Sequence, residues 1–202
     1  CISGCMSLED TLRLVAARGR LMQETAPGAM LSVGMNEMDI SQVLEEYPDL
    51  SLAAVNSPTH SVVSGKTEAI EKLEKQLAQQ NQFNKRLKTS HAFHSTLMES
   101  IMDKFAEIAS KAKFNAPKIP FISGVTGAWI TAEEIGDNRY WVNHLRKPVR
   151  FAAGIAEILK DPNRLLLEVG PGNSLCVLAA EQKKDEKKTG EFIFSSIRHI
   201  KQ

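Results

Sequence analysis

Apolar side chains return at helical spacing from residue 7 to about residue 25. Leu8, Leu12, Val15, Ala16, Gly19 and Met22 share one face, and Leu14 and Leu21 widen it into a broad arc. Ser7 and Asp10 make a capping-box-like start, and Pro27 and Gly28 stop the helix. Glu9, Arg13 and Arg20 fall on the polar side. Arg18 does not: an advance of about 100° per residue places it between Leu14 and Met22, inside the apolar arc.

From residue 29 to residue 89 the pattern changes. Strands are predicted over 29–34, 51–56, 61–65 and 83–88, with helices over about 40–46 and 68–79. In the second helix Ile70, Leu73 and Leu77 form one stripe while Glu and Lys face water. The order βαββαβ is the split, ferredoxin-like arrangement, expected here as an insertion with its own core.

Beyond residue 89 helix and strand alternate. Thr96 and Glu99 can cap a helix whose core face is Leu97, Ile101, Phe105, Ile108 and Ala112. A strand is expected over 120–124, a short helix over 138–145, and a helix over 149–159 with Pro148 in its first turn. Residues 165–169 read as a buried parallel strand that enters the turn Gly170-Pro171-Gly172-Asn173 and another helix, a junction that can place a site at the end of a sheet. Residues 182–188 read as a charged loop and 192–195 as an edge strand. The fold class is therefore α/β, with a large subdomain over 1–28 and 90–202 and a small one over 29–89.

The 202 residues, 43% of them hydrophobic, are enough for one compact domain or two small ones. Lys and Arg number 25 against 24 Asp and Glu, for a net charge of +1, so no broad field steers the chain to nucleic acid or to an anionic membrane. An anionic partner must be met locally. Cys1, Cys5 and Cys176 are odd in number and lack metal-ligand spacing, which argues against a disulfide framework or a metal site and fits the cytoplasm. No apolar run approaches the roughly 20 residues of a bilayer span, and no basic-then-apolar leader opens the chain. The start at Cys1, inside a small-residue stretch, reads as a cut.

Four features carry candidate chemistry. His94, in His91-Ala92-Phe93-His94, precedes a helix N-terminus, where the dipole disfavours the imidazolium and suits a general base; one exposed and one packed histidine is the plainer reading. A metal pair would lack a third ligand nearby. Arg18 on an apolar face needs an anion, either a structural Asp or Glu or a substrate carboxylate held in a planar, bidentate geometry. Gly170-Pro171-Gly172 is a tight turn with a weak phosphate-cradle signal, and Asn56-Ser57-Pro58 is a turn between strands.

Together these stretches resemble the acyltransferase domains of modular polyketide synthases and, more distantly, the malonyl-CoA:acyl-carrier-protein transacylase of fatty-acid synthesis. The resemblance is carried by Ser7-Leu8-Glu9-Asp10, Ala16-Ala17-Arg18-Gly19-Arg20-Leu21-Met22, Gly28-Ala29-Met30, Asn56-Ser57-Pro58, and His91-Ala92-Phe93-His94-Ser95. It continues through Tyr140-Trp141-Val142-Asn143-His144-Leu145-Arg146-Lys147-Pro148-Val149-Arg150-Phe151 and Leu167-Glu168-Val169-Gly170-Pro171-Gly172.

The resemblance implies an α/β-hydrolase-like large subdomain, its N-terminal strands missing, with a ferredoxin-like insertion. It implies that His94 is the base of a Ser-His dyad, that Arg18 holds the malonyl carboxylate, and that Asn56, His91 and Phe93 belong to the acyl pocket. His144 would supply the main-chain carbonyl that orients the catalytic histidine. Phe93 before the catalytic histidine implies malonyl rather than methylmalonyl. The implied reaction is ping-pong transfer of malonyl from CoA to the phosphopantetheine of an acyl carrier protein, beside ketosynthase and linker domains, with no tightly bound cofactor. No Gly-x-Ser-x-Gly occurs in the 202 residues, so the chain alone is expected to be inactive. The rivals are a free-standing transacylase, a non-catalytic carrier-protein docking domain and, weakly, a ferredoxin-like RNA binder. The segment Ser195-Ser196-Ile197-Arg198-His199, similar to the linker after synthase acyltransferases, favours the modular enzyme over the first.

Overall fold

A computed structural model of the protein describes residues 1–183 and 192–197. Helix α1 (Leu8–Gln23) starts where the Ser7 side chain accepts the Asp10 N–H at 3.0 Å. Leu14, Ala17, Leu21 and Met22 are buried, whereas Leu8, Leu12 and Val15 are 61%, 60% and 64% exposed. Only part of the apolar arc is covered: α1 packs through its Leu14–Leu21 side, and no described residue buries the Leu8–Leu12–Val15 strip. Arg18 lies at the border between them.

Four strands follow: β1 (Ala29–Val33), β2 (Leu50–Ser57), β3 (His60–Gly65) and β4 (Asn84–Arg86), with α2 (Glu37–Leu44) and α3 (Thr67–Gln79) between them. They form an antiparallel sheet in the order β2-β3-β1-β4, which is the split βαβ topology. Because side chains alternate along a strand, the two faces have different fates. Leu31, Val33 and Val63 are fully buried with Ile40, Ile70, Leu73 and Leu77 of the helices, each worth about 1.5–3 kcal/mol. Met30, Ala53 and Val62, on the other face, pack with Leu87 and Phe93. That second face is the floor of a cleft.

The chain enters and leaves this sheet side by side. Pro27 bridges His91, and the Gly28 N–H donates to the Ser90 carbonyl at 3.1 Å. A Cβ at Gly28 would lie 2.6 Å from the Ala92 Cβ and 2.8 Å from the Gly65 oxygen, so only glycine fits.

A 3-10 turn (Thr96–Ile101) leads into α4 (Met102–Ala109), followed by α5 (Ala132–Gly136), α6 (Asn138–Arg146), α7 (Phe151–Ile158), β5 (Leu166–Pro171), α8 (Ser174–Ala180), a second 3-10 turn (Glu181–Lys183) and β6 (Ile193–Ile197). Helices α1, α4 and α6 bury Leu14, Met22, Phe105, Val142 and Leu145 together, with Met98 of the first turn.

Several elements differ from expectation. The cap at 96 is Ser95, whose hydroxyl accepts the Leu97 N–H at 3.2 Å. Residues 120–124 make a single bridge, Ile122 to Trp129, because the Ser123 hydroxyl accepts the N–H groups of Val125 and Thr126 and turns the chain back. Helix α5 is an element that periodicity does not announce, although Thr131 and Glu134 form a full capping box. Helix α7 starts at Phe151, leaving Pro148 and Val149 extended ahead of it. Strand β5 is parallel to β6, as a buried strand should be, but among the described residues it has one neighbour, and Leu167 and Val169 are 54% and 83% exposed. Gln182 belongs to a 3-10 turn rather than a loop; residues 184–188, Arg198 and His199 lie outside the described residues.

Candidate functional site

The cleft lies between α1, the inner face of the β2-β3-β1-β4 sheet and the segment that follows α6. It measures about 540 Å³ and is lined by Val15, Arg18, Gly19 and Met22 from α1, by Met30, Ala53, Asn56 and Val62 from the sheet, and by Phe93, His94 and Val149. Its floor is apolar; Arg18, His94 and Asn56 bring polar groups to it.

His94 has a left-handed backbone, with φ 59°, which is uncommon outside glycine and points to a side chain held in place from outside. The holder is the Lys147 carbonyl, 2.9 Å from His94 Nδ1. A carbonyl can only accept, so Nδ1 carries the proton and Nε2 keeps its lone pair. Burial pushes the His94 pKa below its ordinary value; the Lys147 bond raises it, and the Arg18 charge lowers it again. His94 is thus a neutral acceptor near pH 7, as a general base requires.

Helix phase alone delivers Arg18 to the cleft wall. Its Nε is buried without a hydrogen-bond partner, and among the described residues no carboxylate pairs with the guanidinium. Burial lowers its pKa, which marks a charge held where an anion would be stabilised. A structural ion pair, one of the two readings from sequence, is not what the geometry shows.

Phe93 and, on β2, Asn56 line the cleft, and the Asn56 main-chain carbonyl accepts from Gln182 Nε2 at 3.4 Å. His91 is not in the cleft lining. It lies behind Phe93, its ring 6.3 Å from the phenyl and nearly parallel to it, with Nδ1 2.9 Å from the Ser90 hydroxyl. Through that contact it reaches the cleft by way of Phe93.

His144 is corrected. The carbonyl that meets His94 belongs to Lys147, three residues further on, because α6 ends there and Lys147, driven extended by Pro148, turns its carbonyl out of the helix. That Lys-Pro junction is the sequence signal that could have found it. The His144 ring instead lines a neighbouring cavity of about 140 Å³ with Arg18, Thr11, Leu14 and Trp141. It is stacked on Trp141 and edge-on to Tyr140, and its Nε2 is buried without a partner. Burial, then the charges of Arg18 and His94, push its pKa down to about 4. The turn Gly170-Pro171-Gly172 contributes nothing to the cleft lining.

The profile of a family described as "Acyl transferase domain" matches residues 1–193. Among curated relatives, a phenolphthiocerol/phthiocerol polyketide synthase polypeptide of Mycobacterium tuberculosis is 34% identical over 91% of this chain and 12% of its own length. The spectinabilin polyketide synthase system protein NorB of Streptomyces orinoci is 39% identical over 89% of this chain and 8% of its own. Among solved structures, the acyl transferase domain of SpnD, in complex with 2-(pent-4-yn-1-yl)malonyl, superposes with a TM-score of 0.91 at 35% identity, covering 100% of this chain and 48% of that one. FabD from Acinetobacter baumannii gives 0.84 at 25% identity, over 96% of this chain and 62% of that one. The chain thus spans about half of the solved SpnD domain and about a tenth of those curated synthases. With a profile match over nearly its whole length and relatives that are parts of polyketide synthases, the chain belongs to the acyl transferase domain family.

Proposed function

We propose that this chain carries the base and the carboxylate-binding residue of an acyltransferase that moves malonyl from CoA to the phosphopantetheine thiol of an acyl carrier protein in polyketide synthesis. The observation that carries the reading is that His94, locked in one tautomer by Lys147, and the unpaired guanidinium of Arg18 face a single cleft. The nucleophilic serine is not among these 202 residues, and we place it in the part of the domain that the solved relatives have and this chain does not span.

In the first half-reaction His94 Nε2 takes the serine proton as the oxygen attacks the malonyl thioester; the thioester bond breaks and the CoA sulfur leaves with that proton. In the second, Nε2 takes the proton of the phosphopantetheine thiol, sulfur attacks the acyl-serine ester, and the proton returns to serine. Arg18 holds the malonyl carboxylate through both steps. Phe93, among the cleft's lining residues, is read as filling the space that an α-methyl group would need. Identities of 34–39% to synthases against 25% to FabD support a synthase module over a free-standing transacylase. In the longer polypeptide that carries the serine, loading of malonyl, methylmalonyl and acetyl from their CoA thioesters tests the reading; acetyl loaded as well as malonyl would overturn it.

A further inference from the structure

The free edge of the β2-β3-β1-β4 sheet is not free. Val55 of β2 donates its N–H to the Val149 carbonyl at 2.9 Å, and Val149 donates its own to the Ala53 carbonyl at 2.9 Å, a one-rung parallel ladder between sheet and large subdomain. One residue further on, the Arg150 side chain is paired with Glu37 in the first turn of α2, while the Arg150 N–H meets the Gly124 carbonyl at 2.8 Å. The gripped segment begins at Lys147, whose carbonyl holds His94. Pro148, between them, has a fixed φ and no N–H, which removes one soft dihedral between Val149 and the Lys147 carbonyl.

We infer that the small subdomain positions the catalytic base: the rung from Ala53 and Val55 to Val149, with the Glu37–Arg150 pair beside it, fixes the Lys147 carbonyl and thereby the ring of His94. The inference rests on the reading of His94 as the base. Val55, Val149 and Glu37 are positioning residues, since none of them acts on the reacting atoms except through Lys147. A hydrogen bond to Nδ1 dictates which nitrogen is left to accept a proton, so a loosened carbonyl releases His94 into a mixture of tautomers, only one of which presents Nε2 as a base.

The test reads the tautomer of His94 in this chain by nitrogen-15 NMR of labelled histidine, without any thioester. In the unaltered chain the Nδ1–H form predominates. Val55→Pro removes one donor of the rung, on the side of β2 turned away from β3, and is expected to bring in the Nε2–H form; Glu37→Gln should do so to a smaller extent. Leu73→Ala, a cavity in the core of the same subdomain, should lower stability and leave the tautomer unchanged, which separates positioning from mere destabilisation. If Val55→Pro does not fold, amide exchange in the unaltered chain decides together with Glu37→Gln, because the rung requires Val55 and Val149 both to be protected. Folded Val55→Pro and Glu37→Gln chains with an unaltered tautomer, or rung amides exchanging as in an unstructured peptide, would overturn the inference. Failure of malonyl transfer would not bear on it.

Discussion

Arg18 and His144 line one small cavity, and each has a buried nitrogen, Nε of Arg18 and Nε2 of His144, with no hydrogen-bond partner among the described residues. The Arg18 nitrogen is a donor, and the His144 ring is kept neutral by burial and by the charges of Arg18 and His94. Arg18 also lines the larger cleft with His94, which makes it the most informative target for substitution.

Arg18→Ala, in a domain that also carries the serine, should depress malonyl loading and leave acetyl loading equal or better. A buried carboxylate that loses its partner costs on the order of 2–5 kcal/mol, so the selectivity should fall by more than an order of magnitude. Parallel loading of the two thioesters gives the answer; equal losses for both would make Arg18 structural.

His94→Ala should lower acyl transfer by roughly two to four orders of magnitude, the range for a positioned base. His91→Ala should cost far less, since His91 supports Phe93 and does not line the cleft. Transfer rates of the two variants compared at one pH would show whether the roles are divided in this way.

The base must be neutral to act, so the rate falls as pH drops through the His94 pKa. That value lies below its ordinary one, chiefly because of burial and in smaller part because of the Arg18 charge, and activity should persist into mildly acid solution. Arg18→Gln removes one depressing charge and should move the acid limb to higher pH. Acetyl loading across pH measures this without the loss of malonyl binding.

His144 gives a stability prediction. Its folded pKa of about 4 lies below the ordinary value of 6.5, so below pH 6.5 the unfolded chain takes up a proton that the folded chain refuses. The stabilising contribution is therefore complete above pH 6.5 and is lost as pH falls toward 4, to the extent of about 3 kcal/mol. His144→Phe keeps a ring against Trp141 and should flatten this slope in denaturant titrations repeated across pH.

Phe93→Ser with His91→Tyr should narrow a preference for malonyl over methylmalonyl. One methyl group is worth about 1–3 kcal/mol in a pocket, so the starting preference is roughly 10- to 200-fold. Competition between the two thioesters reads it, and an unaltered domain that preferred methylmalonyl would refute the assignment.

What can be read in the sequence is what periodicity encodes. The 3.6-residue phase of α1 puts Arg18 among apolar neighbours, and alternation in β1 and β3 gives the sheet its two faces. Periodicity says that a face is apolar, not what covers it, and so it puts Leu8, Leu12 and Val15 on one face without telling that none of the described residues buries them. The oriented carbonyl escapes for another reason. Every residue has one, and only Pro148, by ending α6 and extending Lys147, distinguishes it from its neighbours. His91 and His94 share a residue type and a motif; the left-handed backbone at His94 separates their roles.

The side-by-side strands at Gly28 and Ser90 mark a natural graft point. A polypeptide cut there and rejoined to another sheet of the same topology would exchange Met30, Ala53, Asn56 and Val62 as one block while leaving Arg18 and His94 in the recipient. The shape of the floor and the chemistry above it are therefore separately heritable. A transplanted sheet would have to bring along a glycine at its entrance, an edge able to grip Val149 and a partner for Arg150 in place of Glu37.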